Sequence, residues 1–189
     1  MFFDELDAFL TGFRTRNLGD SEEKRPEEEE DIIDELLDLY LLAFYDGCLD
    51  AAQELEIDLE PPIAGASEII NRPIDGKTFE DRVRAYLNGD MGETTGTPAE
   101  AIARVADTDS VRIYNEAKLM TARANGATEK TWHTMEDNRV RDTHVVLDGV
   151  TSPIDGYFYT YTGERAQAPG QFGSAAEDVG CRCFLTFSK

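Results

Sequence analysis

Between Glu27 and Leu55 apolar residues return every three or four positions, and this spacing constrains the fold more than any other feature of the chain. Ile33, Leu36, Leu37, Tyr40, Leu41, Phe44, Cys48, Leu49 and Ala52 fall on one broad side of a helix. Asp34, Glu35, Asp38 and Asp50 fall on the wetter side. A second long helix is predicted from Thr97 to about Asn125. Thr97-Pro98-Ala99-Glu100 reads as cap, Pro at the first helical position and acid at the third, and Gly126 is the stop. Ile102, Ala106, Ile113, Ala117, Met120 and Ala124 form its apolar line, and its many alanines suit close helix packing. Arg104, Arg112, Asn115 and Glu116 are expected to face solvent, with Arg104 long enough to reach the C-terminal part.

Shorter helices fill the first half. Phe2, Phe3, Leu6, Phe9, Leu10 and Phe13 predict one over Phe2–Arg16. Ser21–Asp31 is a charge run, read as linker plus the acidic first turn of the long helix, where Pro26 and the acids fit. The prolines of EPPIA, Glu60–Ala64, end that helix. Ser67–Asn71 predicts a short turn of helix. Thr78 and Asp81 form a weak capping box before a helix that turns Phe79, Val83, Tyr86 and Leu87 inward. Asn88–Gly96 is rich in Gly but lacks the G-x-x-x-x-G-K-[ST] spacing that cradles phosphate, so it reads as a connector.

After Gly126 the texture becomes β. Lys130–Met135 predicts a strand carrying Trp132, Tyr157–Tyr161 a second, and Cys181–Phe187 a third in which Cys181, Cys183, Leu185 and Phe187 share a face. Thr151–Gly156 and Thr162–Glu177 read as loops. The fold class is therefore α+β: an acidic helical region over residues 1–95, then a compact domain over residues 96–189 with a small antiparallel three-stranded sheet.

Charge narrows the function classes. The net charge is −21. Residues 1–100 carry 27 acids and 8 bases, whereas residues 101–189 carry 12 and 10, so nearly all the excess lies in the first half. Such a surface repels phosphate and does not indicate nucleic-acid binding; it suits solubility or docking to a basic protein face. No apolar run is long enough to span a membrane. The N-terminus lacks a basic region before its apolar residues, so a signal peptide is not expected and the chain is expected to fold in a cytoplasm. Three Cys without a signal peptide argue against a disulfide framework, and Cys48 sits inside a helical pattern as a small core residue.

The chemistry concentrates in WHTMEDNRVRDTHVVLDG, Trp132–Gly149, which holds the only Trp and both His residues. Read as a helix, it puts Asp137, Arg141, His144 and Asp148 on one face and lets Val140 and Leu147 pack inward. The C-x-C at Cys181 and Cys183 is too tight to bridge easily to itself, yet well placed to pinch one metal ion. The three readings are packing residues, ligands of a zinc ion with His144 as the first further candidate ahead of His133, Asp137 or Asp142, and a reactive thiol. His144 reads either as a general base oriented by Asp137 or Asp148, or as part of a structural cluster with Arg141 and Asp137. Trp132 reads as core. His144, Cys181 and Cys183 are expected to converge, with Asp137 and Arg141 around them.

The order IARVADTDSVRIYNEA, then KTWHTMEDNRVRDTHVVLDG, then a PG-containing loop, then CRCFLTF, resembles the phage minor head proteins of the Mu F-like type, also called phage head morphogenesis proteins. The match covers about Ala101 to Phe187. The LLAFYDG and IDGKTFEDRVR segments resemble the shorter forms in phages of Gram-positive bacteria. Gly180 stands where the pattern usually has Asn. The resemblance carries the family's motif onto Trp132, Asp137, Arg141, His144, Gly149, Cys181, Arg182 and Cys183. It implies a minor capsid protein in the virion head interior, made in the host cytoplasm, associated with the portal protein and with scaffold or major capsid protein. Such a protein assists head morphogenesis and DNA packaging or ejection. The alternative is a hydrolase or nuclease using a metal or the His144, Asp137 and Cys181 side chains during head assembly or DNA delivery.

Overall fold

The computed structural model describes residues 2–18, 25–60, 63–92 and 94–189. Five helices come first: α1 (Phe2–Arg14), α2 (Arg25–Glu54), α3 (Ile63–Ile70), α4 (Phe79–Leu87) and α5 (Pro98–Ala124). Then follow β1 (Glu129–His133), α6 (Asp142–Val145), β2 (Thr151–Pro153), β3 (Phe158–Tyr159), β4 (Arg165–Ala166), α7 (Ala175–Asp178) and β5 (Phe184–Ser188). The class is α+β, with the helical part first and a small antiparallel sheet after it. Residues 21–24 of the predicted charge run, residues 19 and 20 before it, and the paired prolines at 61 and 62 lie outside the described residues.

The local signals act as their chemistry requires. Thr78 and Thr97 each accept a hydrogen bond from the backbone three residues on, and Asp81 and Glu100 answer back to the cap nitrogens. Gly126 takes the left-handed conformation that ends α5, at φ +80°.

α5 is the axis of the molecule. It packs against α1, α2, α3, α4 and β5, most extensively against α2. Gly47 lets α2 come close: a Cβ there would overlap the Tyr114 carbonyl oxygen and press on Ala117. This approach explains a glycine in mid-helix, where it otherwise costs about 1 kcal/mol relative to Ala. Surrounded on most sides, α5 buries polar residues that its sequence suggested were wet. Arg112, Asn115 and Glu116 are all buried. Arg112 donates to the Ile69 carbonyl and pairs with Glu116, and buried Asp109 receives Arg82 at 2.5 Å. Arg104 does not extend to the C-terminal part; it donates to the Thr95 carbonyl. On α2, Leu49 is exposed, unlike the rest of its predicted stripe.

The three-stranded sheet has the order β2-β1-β5, antiparallel throughout. Its third member is not the Tyr157–Tyr161 segment but Thr151–Pro153, which had read as loop. Phe158 and Tyr159 instead form a separate two-stranded ribbon with β4. The misreading has a physical cause: YFYTY has high β-propensity, whereas strand pairing is decided by what lies opposite. Tyr157, Tyr159 and Tyr161 are exposed, whereas Phe158 and Thr160 are buried.

The outer edge of β5 is covered by side chains rather than by a strand. Asn115 donates to the Cys183 carbonyl at 3.0 Å and accepts from the Leu185 amide at 3.2 Å. Glu54 of α2 accepts from the Phe187 amide at 3.2 Å. These contacts satisfy backbone groups that an open edge would leave unpaired.

Candidate functional site

The stretch from Trp132 to Gly149 is not one helix. It leaves β1, runs as a loop from Thr134 to Arg141, and makes only the short α6. Asp137, Arg141, His144 and Asp148 therefore do not share a helical face. Asp137 pairs with Arg182 at 2.6 Å and accepts from the Arg139 amide, and these partners hold its carboxyl below the usual range. Arg141 donates to the carbonyls of Glu177 and Val179, strapping α6 to the loop before β5. Asp148 accepts from the Thr134 amide at 2.7 Å and from its hydroxyl, closing the loop upon itself. Gly149 sits at φ +72° and makes the turn into β2. Of the two residues expected to pack inward, Leu147 is buried and Val140 half-buried.

His144 is delivered by α6 into the second core, where it is 1% exposed. Its Nδ1 lies 3.6 Å from the Cys181 sulfur and 3.5 Å from the Cys183 sulfur. The two cysteines precede β5 and alternate with half-buried Arg182, so both thiols point inward. All three donor atoms lie within 4.8 Å of one another. Both thiols are free, as is that of Cys48, which is buried in the first core. Trp132 forms one wall, edge-on to the imidazole at 5.4 Å, and Phe172 stacks on the ring's other side at 5.4 Å.

Glu177 completes the cluster. It is 4% exposed, and its Oε2 lies 3.1 Å from His144 Nε2 while accepting from the Thr143 hydroxyl at 2.7 Å. The carboxylate is near enough to pair with the ring but not aligned as a hydrogen bond. The imidazole thus faces two sulfurs with one nitrogen and a carboxylate with the other. The two thiols differ in acidity. Cys183 is held below its ordinary value by the Cys181 thiol, helped by the Trp132 indole, whereas that same contact and burial push Cys181 up.

The space beside the sulfurs is a cavity of about 10 Å³, lined by Arg141, His144, Gly180, Cys181, Arg182 and Cys183 among others. That is room for about one water or one small ion, not for a substrate. Gly180 adopts φ +70° at its rim. Gly and Asn are the residues that most readily take this left-handed conformation, so Gly in place of Asn keeps the backbone turn into Cys181.

The sequence reading brought His144, Cys181, Cys183 and Arg141 to one place, and the structure does the same. Asp137 stands one step further out, behind Arg182. His133 and Asp142 are not in the cluster: His133 stacks on Phe184 and contacts the Thr186 hydroxyl at 2.8 Å, and Asp142 is exposed. Glu177 was missed, since a single acid within a predicted loop carries no periodic or motif signal. Asn115 was missed because its position on α5 gave no hint of a strand beside it.

Residues 69–186 match the family described as Phage Mu protein F like protein. The chain is also 32% identical over 126 residues to an NAD(+)--arginine ADP-ribosyltransferase of Enterococcus faecalis. That alignment takes in 62% of this chain and spans 25% of the enterococcal protein. No solved structure matches the chain.

Proposed function

The chain belongs to the Phage Mu protein F like family of head morphogenesis proteins, and from that membership we propose that it is a minor head protein docked to the portal, assisting head assembly and DNA packaging or ejection. The observation that carries this reading is the extent of the family match, which runs from within α3 to the middle of β5, where Thr186 pairs with Thr131 of β1. Scaffold or major capsid protein is a further partner, and the head interior is the location. The acidic face of the helical half is the docking surface: Asp31, Asp34 and Asp38 are exposed along α2, and charge complementarity of this kind steers association and fixes register.

The hydrolase or nuclease alternative is not favoured. His144, Cys181 and Cys183 are buried, and the adjoining cavity has no room for a substrate. Nor does the enterococcal transferase supply an activity, because the shared segment spans only a quarter of it.

The test is co-expression of the tagged chain with the portal protein of the same phage, followed by capture at low and high salt. A complex that weakens as salt rises, and that Asp34→Lys with Asp38→Lys reduces about tenfold or more, is the expected result. A chain absent from purified heads and never retained by portal protein would overturn the reading.

A further inference from the structure

We propose that His144 Nδ1, Cys181 Sγ and Cys183 Sγ form a binding site for one zinc ion, with Glu177 orienting the imidazole and a water completing the tetrahedron.

The distances carry the first argument. Zinc bonds sulfur at about 2.3 Å and imidazole nitrogen at about 2.0–2.1 Å, so at a tetrahedral angle sulfur and nitrogen stand about 3.5–3.6 Å apart. The two separations here are 3.5 and 3.6 Å. A thiol hydrogen bond has a similar length, so one such distance decides nothing; two nearly alike at one nitrogen point to a shared centre. The neutral imidazole has one acceptor nitrogen with one lone pair in the ring plane. It can receive one well-directed thiol proton, not two from sulfurs placed almost equally about it. A cation between the three atoms removes that conflict, because both thiols then ionise and all three lone pairs point at one centre.

The second argument comes from the far side of the ring. Metal-bound imidazoles usually give their other nitrogen's proton to a carboxylate or carbonyl, which sets the tautomer and aims the lone pair. Buried Glu177 stands 3.1 Å from Nε2, with its own Oε2 steadied by the Thr143 hydroxyl. Although not aligned as a hydrogen bond, a carboxylate at this distance draws the proton to Nε2 and leaves Nδ1 free for the ion.

The third argument is room. Among the described residues no fourth His, Cys, Asp or Glu places a ligand atom beside these three donors, Glu177 lying behind the ring at Nε2. The cavity of about 10 Å³ beside the sulfurs accommodates the water that the open position requires. The donor set suits zinc: two thiolates and an imidazole are its usual partners, whereas magnesium and calcium want oxygen.

The experiment uses the whole chain, purified in reducing buffer after expression with added zinc. Elemental analysis is expected to find about one zinc per chain. Replacing zinc by cobalt(II) is expected to give sulfur-to-cobalt charge-transfer absorption in the near ultraviolet and visible bands of four-coordinate intensity. Cys48→Ser should keep both, whereas Cys181→Ser, Cys183→Ser and His144→Ala should each lose the spectrum. Glu177→Gln tests the orienting role: it should retain the cobalt spectrum but weaken zinc affinity roughly 10- to 100-fold. Because a site variant can fail to fold, the wild-type cobalt titration decides the case alone. Zinc at background together with no sulfur-to-cobalt band in folded wild-type chain would overturn the proposal. An unchanged affinity in Glu177→Gln would overturn the role given to Glu177.

Discussion

Lys130 is a residue whose position costs stability. Its side chain is fully buried in β1, its ammonium has no hydrogen-bond partner among the described residues, and what offsets its charge is the face of Phe158 at 5.6 Å and the carboxylate of Asp155. Burial, seconded by the charge of Arg123, pushes the amine down to about 8 from its ordinary value of 10.5. Between those two values the unfolded chain holds more protons than the folded one, so stability rises with pH across that window. Below about pH 8 the cost of the buried charge is fully present. Lys130→Met should therefore stabilise the chain at pH 7 by about 1–3 kcal/mol, the cost of an unsatisfied buried donor. That gain should shrink as pH rises from 8 toward 10.5. Urea titrations of both proteins at pH 7 and pH 9.5 check it; a less stable variant at pH 7 would mean the ammonium is well accommodated.

At the scale of elements, the sheet depends on a helix for its last hydrogen bonds. Asn115→Ala would strip partners from the Cys183 carbonyl and the Leu185 amide in a fully buried setting. The expected loss is about 2–4 kcal/mol by denaturant titration, with Asn115→Asp also destabilising because a carboxylate cannot donate to the carbonyl. A loss under about 0.5 kcal/mol would show that β5 holds its edge without α5. Much at this scale was legible in the sequence. Capping boxes at Thr78 and Thr97, the stop at Gly126 and the inward alternation of Cys181, Cys183, Leu185 and Phe187 rest on local chemistry, and local chemistry is what a sequence displays. The identity of the third strand was not, because Thr151–Pro153 is recruited by pairing with β1 rather than by its own propensity. The helix drawn through Asp137–Asp148 failed similarly. Alternating charges mimic helical pairing, but Asp137 and Asp148 spend their carboxylates on backbone amides that a helix would have used itself.

Over the whole molecule, the division between halves is sharper in charge than in packing. The acidic excess belongs to the first hundred residues, yet α5 packs both on α1–α4 and on β5, and α2 also touches β5. Two cores meet along it: one gathers the aromatic residues of α1, α2 and α4, and the other holds Trp132, the cysteines and Phe158. The convergence of His144 with the C-x-C was readable because a sheet this small must be covered by what immediately flanks it. The burial of Arg112, Asn115 and Glu116 was not, since it depends on how many neighbours a helix acquires, and that number is written nowhere in the helix itself.

The side-chain cover on β5 sets an order in time. Asn115 meets Cys183 across 68 residues and Glu54 meets Phe187 across 133, so these bonds close long loops and reward the chain late. The α2–α5 crossing spans a similar interval, Gly47 to Tyr114, but it joins two helices whose hydrogen bonds are internal, whereas the cover on β5 needs the sheet in place first. Gly47→Ala should accordingly slow refolding, because it disturbs a contact already made at the barrier, whereas Asn115→Ala should leave refolding nearly unchanged and speed unfolding. Stopped-flow chevrons of the two variants separate these cases, and the reverse assignment of effects would place β5 in the folding nucleus. His144 meets the two cysteines across only 37 and 39 residues, so the pocket closes a shorter loop than either edge bond, and its three donor atoms can come together before the outer edge of β5 is sealed.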